Sequence, residues 1–156
     1  MPQFRFLPSI IDRLLDPNSM SGSAASGTNS VSVIEAVRRD VEELLNSRRI
    51  VDPEVDRYPE LSRSLFTFGV PELVSRPAIS LADRESIGRL IADTINLHEP
   101  RLARVKVRLL GDAGTIERSV RFLITAVLKM EPSPGVEFET VVQMATGQTA
   151  VASRNP

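Results

Sequence analysis

The sequence predicts an α+β fold, a single domain with helices packed on one face of a mostly antiparallel meander sheet. Three observations predict it. Helical spacing dominates the earlier part of the chain, strict apolar and polar alternation begins at Arg104, and short turn signals separate the strand-like runs that follow. With 156 residues the chain has the size of one ordinary domain and can bury a self-supporting core.

The elements follow in order. "PSIIDRLL" at 8–15 fits a short amphipathic helix, with Ile10, Ile11, Leu14 and Leu15 on one side. "DPNSMSGSAASGTNS" at 16–30 has the composition of a flexible linker, so the domain proper is expected over 31–156 and residues 1–30 form a tethered extension. From Val31 to Arg48 the positions Ile34, Val37, Val41, Leu44 and Leu45 keep helical spacing, and Ser32 with Glu35 has capping-box spacing at the start. The charges Arg38, Arg39, Asp40, Glu42 and Glu43 are expected on a solvated face. Between 49 and 79, Pro53, Pro59, Pro71 and Pro77 interrupt regular structure. "YPELSRSLFTFGVPEL" is nevertheless apolar enough to lie against the core, with Gly69 at a turn.

A second helix is expected from Leu81 to Leu97, capped by Ser80 with Asp83 and burying Ile87, Leu90, Ile91 and Ile95. "RVKVRLL" at 104–110 alternates, with Val105, Val107 and Leu109 inward and Arg104, Lys106 and Arg108 outward. "SVRFLITAVLKM" at 119–130 is apolar on both faces, as a central strand should be. "VEFETVVQM" at 136–144 alternates again, and a weak last strand is expected near 148–152, leaving an edge open to strand addition.

Composition narrows the function. The 19 Lys and Arg nearly balance the 20 Asp and Glu, which leaves no footprint for nucleic acid. No run of apolar residues is long enough to span a membrane. Cysteine is absent, and the aromatic share is only 4%, too low for a typical base- or sugar-stacking site. Glycine-rich phosphate motifs are missing as well, so no cofactor, metal or small-molecule substrate is expected.

The single histidine, His98, opens "HEPRL" at 98–102. A zincin site needs a second histidine on the same helix, and the serine-rich "SGSAASG" lies in the linker, where nothing would hold a nucleophile. Pro100 disfavours helix at Glu99, so these residues are a joint between the second helix and the first strand. His98 then sits at the helix C-terminus, where the dipole favours a cation. In an extended chain Glu99 and Arg101 share one face, in step with Val105 and Val107 if the strand register runs back that far. The two either pair with each other or with helix-end groups, or are completed by a partner protein.

Four pieces together carry a family resemblance: "IIDRLLDP" at 10–17, "EAVRRDVEELLNSRR" leading into "YPELSRSLFTFGVPEL", "HEPRL" at 98–102, and "LKMEPSPGVEFETVV" at 128–142. In these the chain resembles the gene-25-type baseplate wedge proteins of contractile injection machines, and within them the type VI secretion branch, TssE, which the N-terminal piece favours. The resemblance implies a non-enzymatic cytoplasmic subunit of a baseplate assembled at the inner membrane. It implies other wedge proteins (TssF, TssG and TssK) and sheath subunits as partners, and a role in starting sheath assembly. Glu99, Pro100 and Arg101 match the family's signature triplet, which implies a partner-binding role in holding the wedge core together. A lysozyme-like peptidoglycan hydrolase and a regulatory adaptor sharing the fold are the alternatives.

Overall fold

A computed structural model describes residues 30–50, 52–72, 78, 80–112, 119–130 and 133–154. The helix expected at 8–15 and the linker, apart from Ser30, lie outside them. Helix α1 runs Ser30–Asn46 and buries Val33, Val37, Val41, Leu44 and Leu45 along one stripe. It begins before Ser32, which therefore lies inside the helix and is not its cap. It also ends two residues short of Arg48, because the chain there is already committed to another pairing.

Arg48 bridges Val70 in parallel, Arg49 N–H donates to Val70 O at 2.9 Å, and Val70 N–H donates to Ser47 O at 2.9 Å. Gly69 makes this closure possible. Its φ is +102°, and a Cβ there would stand 2.4 Å from the Ser47 carbonyl oxygen, inside any permissible contact. Before it, the proline-rich stretch folds as three short 3-10 turns, Pro53–Arg57, Leu61–Arg63 and Leu65–Thr67. Val55, Thr67 and Val70 fasten it inward, while Leu65 is 84% exposed.

Helix α2, Leu81–His98, has the expected capping box. Ser80 Oγ accepts from Asp83 N–H at 3.1 Å and Asp83 Oδ2 accepts from Ser80 N–H at 3.0 Å. Ile87, Ile91 and Ile95 are buried, and Gly88 brings the helix close to the sheet: a Cβ there would lie 3.3 Å from Phe122 and 3.6 Å from Val107.

Four antiparallel strands follow in sequence order: β1 Leu102–Asp112, β2 Ser119–Leu128, β3 Gly135–Gln143 and β4 Thr149–Ser153. Inward residues of β2 and β3, among them Phe122, Ile124, Leu128, Val136, Phe138 and Val142, form one buried cluster with the apolar stripes of both helices. Each such side chain contributes roughly 1.5–3 kcal/mol relative to exposure, so the helices are held on the sheet by this one layer. The meander of strands covered on one face is the predicted architecture.

One register expectation is overturned. The β1–β2 pairing slips between Ala103 and Lys106 and again between Leu109 and Gly111, and Arg104 takes φ +56° at the first irregularity. An extra residue on one strand reverses the in-and-out alternation. Leu102 is consequently buried on the core side before the bulge, and Val105, Val107 and Leu109 face inward after it. Glu99 and Arg101 therefore do not continue the face of Val105 and Val107.

Candidate functional site

The joint at 98–102 is a tight turn, not an extended segment. Leu102 N–H donates to Glu99 O at 3.2 Å, which closes a β-turn with Pro100 at the position that favours proline's fixed φ. α2 ends at His98 as the Pro100 rule requires, and Glu99 N–H still reaches back to Ile95 O at 2.9 Å. The turn, not strand alternation, puts Glu99 beside Arg101.

Glu99 is only 5% exposed. Its Oε1 accepts from the Arg101 backbone N–H at 3.0 Å and from Arg101 Nε at 2.7 Å, and its Oε2 accepts from Nη2 at 2.5 Å. The carboxylate thus meets a two-pronged guanidinium and a main-chain donor at once, which offsets the cost of burying it. Arg101 Nη2 also donates to Asp40 Oδ2 on α1 at 2.6 Å. Burial pulls the Arg101 pKa down, but the hydrogen bonds and charges of Glu99 and Asp40 more than offset this and hold it above its ordinary value. The result is an Asp40–Arg101–Glu99 clamp between α1 and the α2–β1 corner, with Pro100 exposed at its tip.

His98 has a specific partner. Its Nε2 lies 3.0 Å from the carbonyl oxygen of Thr67, and its ring packs edge-on against Phe68 with centroids 5.5 Å apart. It ties the last 3-10 turn to the end of α2. Among the described residues no group of acidic, histidine or cysteine side chains could hold a metal ion.

Two of the charges on α1 read from sequence as solvated, Arg38 and Glu42, instead contact the sheet edge together with Asn46, while Glu43 is exposed. Asn46 presents its carboxamide to β4 as a strand would present a peptide: Thr149 N–H donates to Oδ1 at 2.9 Å and Nδ2 donates to Thr149 O at 2.8 Å. One turn earlier, Glu42 Oε1 accepts from Val151 N–H at 3.2 Å, and from a further turn back Arg38 Nη1 donates to Val151 O at 2.7 Å. Four helical residues rise about 6 Å and two strand residues about 6.6 Å, so side chains at i and i+4 can meet alternate strand residues. Glu42 and Glu35 in turn bind Arg38 at 2.6 and 2.8 Å, and these two carboxylates raise the Arg38 pKa above its ordinary value. The β4 edge, expected to be open, is closed by these side chains.

The other edge differs. Among the described residues no strand or side chain is hydrogen-bonded to the side of β1 away from β2. Its outward side chains Arg104, Lys106 and Arg108 are exposed and form no ion pair with a described residue. None of the helices described is long and apolar enough to cross a membrane.

The family model described as "Baseplate wedge protein gp25" matches residues 31–133, a span that holds both helices, the clamp and the first two strands. No curated protein and no solved structure matches the chain. The family is one of structural subunits that assemble with other baseplate proteins. On the match across its helices, its Glu-Pro-Arg corner and its first hairpin, this chain belongs to the gp25 family of baseplate wedge proteins.

Proposed function

We propose that the chain is a non-enzymatic wedge subunit of a type VI secretion baseplate, joining TssF, TssG and TssK and helping to start the sheath. The family match supports a structural baseplate role, and "IIDRLLDP" at 10–17 favours the secretion branch. The observation that carries a partner-binding role is the braced corner at Glu99, Pro100 and Arg101. Glu99 and Asp40 fix the guanidinium, and the exposed Pro100 with the outer side of Arg101 meets the partner. A rigid, preordered contact costs less to immobilise on binding than a flexible one. The unpaired edge of β1 accepts an extended segment from a neighbouring subunit, the mode in which main-chain hydrogen bonds supply affinity. In this reading the baseplate lies on the cytoplasmic side of the inner membrane.

The test must separate contact from folding, because the clamp also holds the monomer together. Pro100→Ala and Glu99→Gln are compared with Val41→Ala, a core truncation, in co-purification from the native host. All three are scored against their measured unfolding free energies. Loss of wedge proteins by the corner variants, with retention by an equally destabilised core variant, supports the contact. Equal loss at equal stability would reduce the corner to a structural role. Recovery of a protease or its substrate would favour an adaptor. Clearance of peptidoglycan by the purified chain, abolished by one carboxylate variant, would overturn the non-enzymatic reading.

A further inference from the structure

The two edges of the sheet are treated differently, and the difference carries a statement about the partner. β4 is sealed by Asn46, Glu42 and Arg38, which occupy the outward groups of Thr149 and Val151. β1 has no such seal among the described residues, and it carries Arg104, Lys106 and Arg108 on its solvent face. Edge lysines and arginines oppose indiscriminate pairing. A second copy adding through the same edge would set like charges side by side, which is destabilising.

We infer that the β1 edge selects an extended partner segment in which carboxylate and apolar residues alternate. The inference rests on the strand-accepting reading of β1 given above. Between its two bulges β1 holds an uninterrupted register over Lys106–Leu109, and it is this stretch that can pair with an incoming strand. On an added strand, alternate side chains fall on opposite faces. One set lies beside Lys106 and Arg108, with Arg104 just outside the register, and is completed by carboxylates. The other set lies beside the half-buried Val107 and Leu109, which pack against the core, with Val105 likewise just outside the register, and is completed by apolar residues. On the same sheet face β3 carries Glu137 and Glu139, and Arg121 of β2 lies 3.5 Å from Glu139. The positive strip is therefore one strand wide, which suits a strand and not a phosphate backbone or a broad anionic surface.

The test uses the full chain and synthetic peptides that alternate valine with glutamate, valine with lysine, and the glutamate composition in blocked order. Binding is measured by titration, and the site is located by hydrogen-exchange protection of the β1 amides. Expected is protection within 106–109 by the alternating glutamate peptide, with affinity about ten-fold above that of the other two, from the cross-strand charge pairs at Lys106 and Arg108. Lys106→Glu with Arg108→Glu is expected to reverse the preference toward the lysine peptide. If that variant does not fold, the peptide series on the unaltered chain decides. Equal protection of β1 by all three peptides would overturn the charge selection and leave the strand-accepting edge standing. Protection elsewhere, or none, would overturn both. A dimer with protected β1 amides in the absence of peptide would assign the edge to a second copy and overturn the inference.

Discussion

Arg101 reaches Asp40, 61 residues away in the chain, at 2.6 Å while holding Glu99 with the same guanidinium nitrogen. One cation thus joins the middle of α1 to the corner that starts the sheet. The Asp40 and Arg101 side chains are 20% and 23% exposed and Glu99's is 6% exposed, so the clamp is partly shielded from water. Removing one member of such a pair leaves a charge without its partner, at a greater cost than the pair's own net contribution.

Glu99→Gln is accordingly expected to destabilise the chain by about 2–4 kcal/mol, and Asp40→Asn by about 1–2 kcal/mol because Glu99 still holds the guanidinium. Denaturant unfolding of the single and double variants measures this. A double variant equal to the sum of the singles would mean that the two carboxylates do not act through a common cation.

Gly69→Ala and Gly111→Ala separate backbone conformation from space. Both glycines have positive φ, +102° and +111°, but only at Gly69 does a Cβ meet the backbone, at Ser47, whereas Gly111 has open space. The conformational term alone is about 1–2 kcal/mol, which is the loss expected at Gly111. At Gly69 the loss should be larger, and the bonds joining Arg49 and Val70 should open, raising the hydrogen exchange of both amides. Equal thermal shifts for the two variants would contradict the clash.

Asn46→Ala removes the carboxamide that satisfies both outward groups of Thr149. A loss of about 1–2 kcal/mol is expected, with faster exchange of the Thr149 amide and a concentration-dependent increase in self-association through the exposed edge. Exchange at Val151, held by Glu42 and Arg38, should change much less. Light scattering and amide exchange read the two effects separately.

Much of this molecule was legible in local pattern. Helical spacing gave α1 and α2 to within two residues at each end, Ser80 and Asp83 formed the capping box, and Pro100 ended α2 at His98. Strand alternation placed β1 and β3, because a pleated chain with one wet face leaves a period of two whatever it packs against, whereas β2 was legible as a run apolar on both faces and β4 only as a weak run after a turn. The partnership of Asp40 was half visible: it stands three residues after Val37 and four before Leu44, on the margin of the buried stripe, although the surrounding charges suggested a solvated face.

What tertiary structure alone decided was pairing across distance. The sequence determined that Glu99, Pro100 and Arg101 form a joint, since proline's ring acts on its immediate neighbours. It could not place α1 close enough for Asp40 to share the guanidinium, nor reveal the bulge at Arg104 that reverses the strand's face. Nor could it say which sheet edge is sealed. The seal depends on side chains at 38, 42 and 46 meeting a strand more than a hundred residues later, and local propensity has no record of that meeting. Local sterics are written in adjacent residues, whereas the clamp, the bulge register and the closed edge exist only once the core has brought distant segments together.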